Sequence, residues 1–365
     1  MQAPSGDCED FASIDLGSHT IRLLIARLEN SRILIPVKNE REITRLARDF
    51  DSKERLVDAS MRHSLEVLRA YAELLQRFQI GAVACGATGV LRRADNAARF
   101  LDMVREHTGL TVPILSEKSE AILSAKGALS VLPMTRNITV LFDLGGSSTE
   151  ILTISPNEPE PVWQTSVFIG AATITQKYLP SDPPTSEALS AASAAIRMQL
   201  TPTLRRVRRS VEASGDSLEN ILLVGTAGTV TTLVSMYLQM DKYQPCRVNG
   251  LSLNQNWLTD TVDYIKGLPV AARRGIPGLE QGREDIILGG ALIVIEILRE
   301  LGQQQLMVSD AGLLEGLMLH LIESRYGIPP RLQSPFRWNL SSEVGACNRP
   351  TEQLTPPLHG DFHAK

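Results

Sequence analysis

The sequence has few aromatic residues and no closely paired cysteines, and both absences narrow the class of protein. Aromatic residues make up 5% of the 365 residues, so leucine, isoleucine, valine and alanine must fill the interior. The four cysteines are widely separated and form no C-x-x-C pair: Cys8, Cys85, Cys246 and Cys347. This spacing argues against a disulfide framework or a structural zinc site, and it is typical of a protein from a reducing compartment.

An excess of positive charge and a long hydrophobic run are missing as well. Lysine and arginine number 37 against 41 aspartate and glutamate residues, so no global positive field favours nucleic acid. The longest apolar run, 291–298, is interrupted by Glu296, which argues against a membrane span. The first ten residues are polar and acidic, without the features of a secretory signal. We therefore expect a cytoplasmic protein that binds neither nucleic acid nor membranes.

The most informative segment is 138–154, in which two apolar runs flank a turn of small residues. The first run ends at Asp143, Gly145 and Gly146 follow, and Glu150 leads into the second run. This pattern predicts a strand, a tight turn and a second strand. Backbone amides in such a turn can hold an anion, and the two carboxylates can hold a hard divalent cation. An ordinary hairpin remains the alternative for this motif taken alone.

A partial copy of this motif occurs near the start of the chain. Asp15-Leu16-Gly17-Ser18 lies between two apolar runs, and Asp15 precedes Asp143 by 128 residues. A repeat of this length predicts two similar domains, whose anion-binding turns would face each other across a cleft. Strands and helices alternate through the rest of the chain, which indicates the α/β class. A glycine-rich turn at 225–229 opens a further helix, where backbone amides can hold phosphate.

Between the two copies, Glu120 stands at the predicted start of a helix. Ser116 is a plausible N-cap, and the positive end of the helix dipole together with Lys118 should favour the ionised carboxylate. An ionised glutamate at this place could accept a proton from water. A routine glutamate at a helix start is the alternative interpretation.

Several segments, in a fixed order, carry a resemblance to a known family. They are 14–20 (I-D-L-G-S-H-T), 87–92 (A-T-G-V-L-R), 116–121 (S-E-K-S-E-A), 143–150 (D-L-G-G-S-S-T-E) and 309–316 (S-D-A-G-L-L-E-G). Together they resemble the exopolyphosphatase and guanosine pentaphosphate phosphatase family of the actin-like superfamily. The chain departs from the family pattern at several positions. Ala47 and Glu117 each replace a glycine, and four further departures bear on activity: His19 replaces asparagine, Ser119 replaces glutamate, Ser147 replaces glycine, and Leu314 replaces a common arginine.

The resemblance implies an α/β fold of two actin-like, ribonuclease H-like domains that face each other across a cleft. It implies a first domain over 1–125, completed by a helix near 310–325, and a second domain over 126–309. Residues 327–365 are expected to form a mobile tail. The chain resembles the short two-domain type of this family, without the added helical domain, and the family suggests a possible homodimer.

The resemblance also implies the chemistry, which is hydrolysis of the terminal phosphoanhydride of linear polyphosphate to release orthophosphate. Glu120 would act as general base with Arg92 as the second catalytic residue, and Asp143 and Glu150 would bind Mg²⁺ or another divalent cation. The phosphates would be held by residues of the two turns and one neighbour: Asp15, Gly17, Ser18, Thr88, Gly145, Gly146, Ser147 and Ser148.

Three other functions remain open on the sequence. The first is the same chemistry on guanosine pentaphosphate, because no guanine-binding motif is visible. The second is an ATP-dependent kinase, as in other actin-like proteins, although no second substrate site can be identified. The third is a sensor that binds polyphosphate or an alarmone without turning it over, and the altered turns favour this alternative.

Overall fold

In a computed structural model, residues 9–339 are described except 49, 51–53, 134–136, 157, 159, 330, 331 and 333. The strands are β1 (Glu9–Leu16), β2 (Thr20–Glu29), β3 (Ile33–Ile43), β4 (Val83–Ala87), β5 (Thr139–Leu144), β6 (Thr149–Ile154), β7 (Trp163–Val167), β8 (Leu222–Thr226), β9 (Ser252–Asn254), β10 (Gln305–Val308) and β11 (Arg337–Trp338).

The helices are α1 (Asp58–Arg77), α2 (Ala97–Thr108), α3 (Glu117–Ser130), α4 (Ala171–Tyr178), α5 (Ser186–Ala213), α6 (Gly228–Tyr237), α7 (Pro245–Val248), α8 (Gln255–Lys266), α9 (Val270–Arg273), α10 (Ile287–Leu301) and α11 (Leu313–Arg325). Two short 3₁₀ turns add Gly89–Arg92 and Leu218–Asn220. Within the described residues, the structure contains no helix with the length and hydrophobicity needed to cross a membrane.

The first sheet has the strand order β11-β3-β2-β1-β4. β1, β2 and β3 pair antiparallel through short turns, whereas β4 returns parallel to β1 after α1. Successive side chains of a strand point to opposite faces, so both faces of β2 can be buried. Leu23 and Ile25 pack with α1 and α2, and Leu24 and Ala26 pack against α11.

The second sheet repeats this arrangement with the order β7-β6-β5-β8-β10-β9. β5, β6 and β7 pair antiparallel, β8 is parallel to β5, β10 is parallel to β8, and the edge strand β9 is antiparallel to β10. Phe142 packs into the large core that contains α5 and α10, whereas Leu141 on the opposite face packs against α3. The predicted fold class is confirmed, because each sheet contains three antiparallel strands extended by a parallel strand, β4 in the first sheet and β8 in the second, with helices on both faces.

Two helices, α3 and α11, cross in direct backbone contact between the two sheets. A Cβ atom on Gly127 would lie 1.8 Å from the carbonyl oxygen of Gly312, and one on Gly316 would lie 1.8 Å from that of Leu123. Glycine is therefore required at this crossing. A buried ion pair between Lys126 and Glu323 joins the same two helices.

The positions of α3 and α11 can be compared with the predicted division into domains. The C-terminal helix α11 packs on the first sheet, and α3, which lies at the predicted boundary near residue 125, packs on the second sheet. The boundaries themselves stay a prediction. Within the predicted tail, the short strand β11 pairs with β3, whereas the part from residue 340 onward lies outside the described residues.

Candidate active site

The two turns predicted from the repeat have the same local structure. The Gly17 N–H donates to the Thr20 carbonyl at 3.0 Å, and the Gly145 N–H donates to the Ser148 carbonyl at 3.0 Å. The second turn is fixed from outside by the first residues of α4, where the Ala171 and Ala172 amides donate to the Gly145 and Gly146 carbonyls at 3.1 and 2.9 Å.

Both turns line one cleft between the sheets, of about 930 Å³ including the solvent at its open mouth. The structure brings nearly all of the predicted site residues to this cleft: Asp15, Gly17, Ser18, Thr88, Glu120, Asp143, Gly145, Gly146, Ser147, Ser148 and Glu150. Arg92 is the exception, because it lies behind the lining and forms an ion pair with Glu120. The volume suits an extended small ligand.

The N-cap of α3 fixes the backbone around Glu120, and Arg92 fixes its side chain. Ser116 is the N-cap as predicted, since its side chain accepts a hydrogen bond from the Ser119 amide at 3.1 Å. Arg92 donates to Glu120 and also to the Leu115 carbonyl at 3.3 Å, which fixes the guanidinium over the carboxylate. The side chain of Glu120 is therefore oriented rather than free to rotate.

The expectation that the helix start and Lys118 favour the ionised carboxylate is wrong. Burial raises the pKa of Glu120 to about 7, although Arg92 opposes the rise. Lys118 lies instead at the surface, 3.9 Å from Glu160. A carboxyl group with a pKa near neutrality is a stronger base than an exposed glutamate, and it still ionises at the working pH of most enzymes.

Glu120 belongs to a set of four buried or half-buried carboxyl groups, the cleft carboxyl groups, which also includes Asp15, Asp143 and Glu150. Burial raises the pKa of Asp15 to about 7, despite the favourable charge of Arg22. Burial, together with the charges of Glu120 and Asp143, raises the pKa of Glu150 to about 8. The pKa of Asp143 is raised by burial too. So many carboxylates in one cleft repel each other, and a cation would relieve that repulsion.

The donors in this cleft fit a hard cation that keeps most of its water. Asp143 and Glu150 lie opposite each other on β5 and β6, and the Ser166 hydroxyl donates to Glu150 at 2.8 Å. Oδ1 of Asp15 is buried without a hydrogen-bond partner. The described segments contain no group of three or more histidine, cysteine, aspartate or glutamate side chains that could hold a metal ion directly. Mg²⁺ bound through water and phosphate needs fewer protein ligands, so the residues present fit it.

Three arginines of the cleft lining were not predicted from the sequence. They are Arg22, Arg41 and Arg283. Burial disfavours the charged form of Arg22. The negative charges of Glu315, Asp310 and Asp15 outweigh this effect, so the pKa of Arg22 is raised. Burial and the charge of Arg283 lower the pKa of Arg41 to about 10, so it stays cationic at neutral pH.

The repeat contained a signal for one of these arginines. Arg22 lies opposite Asp15 on the first hairpin, at the position that Glu150 holds opposite Asp143 on the second. Comparing the two hairpins residue by residue would have placed Arg22 in the cleft. Arg283 carries no such signal, because only the fold brings it against the N-terminus of α6, where a Cβ atom on Gly228 would lie 2.0 Å from its guanidinium.

The departures at His19, Ser119, Ser147 and Leu314 have different locations. His19 and Ser147 line the cleft, and burial with the charges of Arg283 and Arg45 lowers the pKa of His19 to about 4, so it is neutral. Ser119 is exposed, and its hydroxyl lies 2.8 Å from that of Ser116. Leu314 is buried in the core between α11 and the first sheet. Of these four, two therefore reach the site.

The fold and the cleft together define an enzyme of the phosphatase type, with two glycine turns, arginines and buried carboxyl groups around one ligand site. The Ppx/GppA phosphatase family matches residues 24–325, and the chain belongs to this family. The predicted enzyme class, a phosphoric anhydride hydrolase, is confirmed by this membership.

Individual relatives agree with the assignment over nearly their whole length. The chain is 32% identical to exopolyphosphatase 2 of Mycobacterium tuberculosis over 322 residues, which covers 85% of this chain and 98% of the relative. The crystal structure of the Ppx/GppA family member of Aquifex aeolicus matches with a TM-score of 0.72 at 27% identity, over 88% of this chain and 99% of that one. An exopolyphosphatase from Cytophaga hutchinsonii shares the fold, with a TM-score of 0.79 at 21% identity over 89% and 100% of the two chains.

Proposed function

We propose that this protein is an exopolyphosphatase, which hydrolyses the terminal phosphoanhydride of linear polyphosphate and releases orthophosphate. The observation that carries the proposal is Glu120, a buried carboxyl group oriented by Arg92 at the wall of a cleft formed by two glycine turns. Exopolyphosphatase 2 of M. tuberculosis, similar over most of this chain, supports the choice of substrate.

The two turns would bind the end of the chain. Amides of Gly17 and Ser18 from the first turn and of Gly145 to Ser148 from the second would donate to the terminal phosphate oxygens. Arg22, Arg41 and Arg283, which line the same cleft, supply charge for the phosphates that follow. Because the ligand lies between two sheets, the enzyme would remove phosphates from the end rather than cut within the chain.

Glu120 would orient the attacking water and accept its proton as the new phosphorus–oxygen bond forms. The pKa of about 7 leaves a large fraction of Glu120 ionised at and above neutral pH. Arg92 would fix the carboxylate from behind the lining, and Thr88, which lines the cleft, would offset negative charge on the transferred phosphoryl group by donating a hydrogen bond to it.

Asp143 and Glu150 would hold Mg²⁺, with Asp15 close to its water shell. When bound, the ion neutralises charge on the phosphates. Ser166 would then serve as a positioning residue, because its hydroxyl fixes one oxygen of Glu150 at 2.8 Å.

Product analysis tests the proposal. Long-chain polyphosphate incubated with the protein and Mg²⁺ should yield orthophosphate, while the remaining chains shorten gradually. Chains that become much shorter before a matching amount of orthophosphate is released would contradict end-directed cleavage. Release from guanosine pentaphosphate but not from polyphosphate would favour the alternative substrate. Tight binding of either compound without release would favour a sensor.

A further inference from the structure

His19 replaces the asparagine of the family pattern, and the proposed function gives it no role. The residue belongs to the first glycine turn and lines the cleft. Its backbone is fixed from the side of the first sheet, because the Arg45 amide donates to the His19 carbonyl at 2.9 Å. The second turn comes close to it, since a Cβ atom on Gly146 would lie 3.5 Å from Cβ of His19. His19 therefore lies at the point where the two turns approach each other.

One ring nitrogen of His19 has no partner within the described residues. This nitrogen, Nε2, is buried and makes no hydrogen bond. Buried polar atoms of folded proteins nearly always have a hydrogen-bond partner, so an unpaired one needs an explanation. In a residue that lines a ligand cleft, a bound group that supplies the missing partner is such an explanation.

The charges around the imidazole favour an anion as that group. Three arginines act on it: Arg283 from the loop before α10, Arg45 from the segment after β3, and Arg41 from β3 itself. Among the charged groups of the described residues that act on His19, Asp285 alone is negative, and Arg45 already donates to it at 2.9 Å. The second turn faces the ring with glycine and serine, which carry no charge. Burial and the arginines lower the pKa of His19 to about 4, so the ring is neutral in the free protein at neutral pH.

The phosphates of a bound ligand would reverse this balance. An opposite charge within about 4–6 Å stabilises the charged form of a titratable group, and a polyphosphate end carries several negative charges. A protonated imidazole offers two N–H donors and a positive charge, whereas an asparagine amide offers two N–H donors and no charge. The replacement of asparagine by His19 therefore adds a proton-dependent interaction without removing a donor.

We propose that His19 binds a phosphate oxygen of the substrate between the two turns and takes up a proton from solvent as it does so. This role depends on the proposed function for the position of the phosphates. It adds a substrate-binding residue that is particular to this chain, and it makes the affinity for polyphosphate rise in mildly acidic solution. No covalent bond changes in this step.

Calorimetry with inorganic tripolyphosphate and Mg²⁺ tests this role without turnover. Binding is measured in a Glu120→Gln background that carries His19, His19→Asn or His19→Gln, at pH 5.5 and pH 8, in two buffers of different ionisation enthalpy. The ligand and the cleft carboxyl groups titrate in all three proteins, so the difference between the proteins comes from His19. Thermal unfolding verifies that each variant is folded.

The expected difference follows from the two pKa values of His19. If the phosphates return its pKa to the ordinary value of 6.5, tripolyphosphate should bind about 10-fold more tightly with His19 than with either neutral variant at pH 5.5. At pH 8 the three affinities should agree within about threefold, because the ring is then neutral in both states. Proton uptake on binding at pH 5.5 should be larger with His19 by nearly one proton.

Several outcomes would overturn the proposal. Equal pH dependence or equal proton uptake in all three proteins would show that His19 takes up no proton with the ligand. Weakening by the same factor at both pH values would mean that His19 only shapes the turn, and absence of tripolyphosphate binding would remove the role altogether. Failure of the proposed function is distinguishable, because binding that depends on His19 without polyphosphate hydrolysis in the wild type would remove only the hydrolytic activity.

Discussion

Replacing Glu120 by glutamine removes the proposed base and leaves the shape of the site almost unchanged. The amide oxygen can still accept the hydrogen bond from Arg92 that the carboxylate accepts now. Burial raises the pKa of Glu120 from 4.5 to about 7, so holding the ionised carboxylate costs about 3 kcal/mol at 1.36 kcal/mol per unit. Above pH 7 the glutamine variant avoids that cost, and we expect its free energy of unfolding to equal or exceed that of the wild type.

The effect on catalysis should be large. A positioned general base contributes roughly 10²- to 10⁴-fold to a rate, and the glutamine amide cannot accept the proton of water. At pH 8 we therefore expect kcat for orthophosphate release to fall about 10²- to 10⁴-fold. The change in KM should be small, because the turns and arginines that bind phosphate are untouched.

The assay is the initial rate of orthophosphate release from polyphosphate with Mg²⁺, accompanied by thermal unfolding of each variant. Glu117→Gln is the matched control, because Glu117 is exposed in the first turn of the same helix. It should keep the wild-type rate. A folded Glu120→Gln variant with kcat within threefold of the wild type would refute the assignment, and so would an equal loss in the control.

Three further predictions concern the surroundings of the base. Ser166→Ala removes the hydroxyl that fixes Glu150, so the Mg²⁺ concentration for half-maximal rate should rise about 10-fold with kcat largely kept; an unchanged requirement would deny that role. Gly228→Ala would put a Cβ atom 2.0 Å from the guanidinium of Arg283 and displace this arginine from the cleft, so we expect KM for polyphosphate to rise at least about 10-fold. Gly81→Ala is the control and should leave KM unchanged, because Gly81 has open space around it. The cleft carboxyl groups bind protons more tightly when folded, since the pKa values of Asp15 and Glu150 reach about 7 and about 8. Without divalent cations, the free energy of unfolding should therefore fall as pH rises from about 4 to 8, and Mg²⁺ should raise Tm more at pH 8 than at pH 6; equal gains would contradict cation binding by these groups.

The parts of the site that follow one another along the chain could be predicted from the sequence. Asp15 and Asp143 end apolar strands and precede glycine turns, so their repeat predicted two hairpins facing one cleft. The sequence order of the family motifs then placed Glu120 beside them. These predictions succeeded because strand, turn and helix starts depend mostly on neighbouring residues.

The parts that depend on distant contacts could not be predicted. Only Leu34 of β3 is buried, and charged residues such as Lys38 and Arg41 are half-buried, so the strand shows no clear apolar pattern and Arg41 gave no sign of facing the cleft. The shifted pKa of Glu120 depends on burial by surrounding elements, which outweighs the local effect of the helix start. His19 and Arg283 are far apart in sequence and come together only in the folded chain.

The most direct test of the central claim follows the oxygen of the attacking water. Polyphosphate is hydrolysed in ¹⁸O-labelled water under single-turnover conditions, and the first orthophosphate released is analysed by mass spectrometry. Attack on the terminal phosphorus by water in the cleft predicts one ¹⁸O atom in that orthophosphate. Unlabelled orthophosphate, with the label on the shortened chain or on no product, would contradict the account.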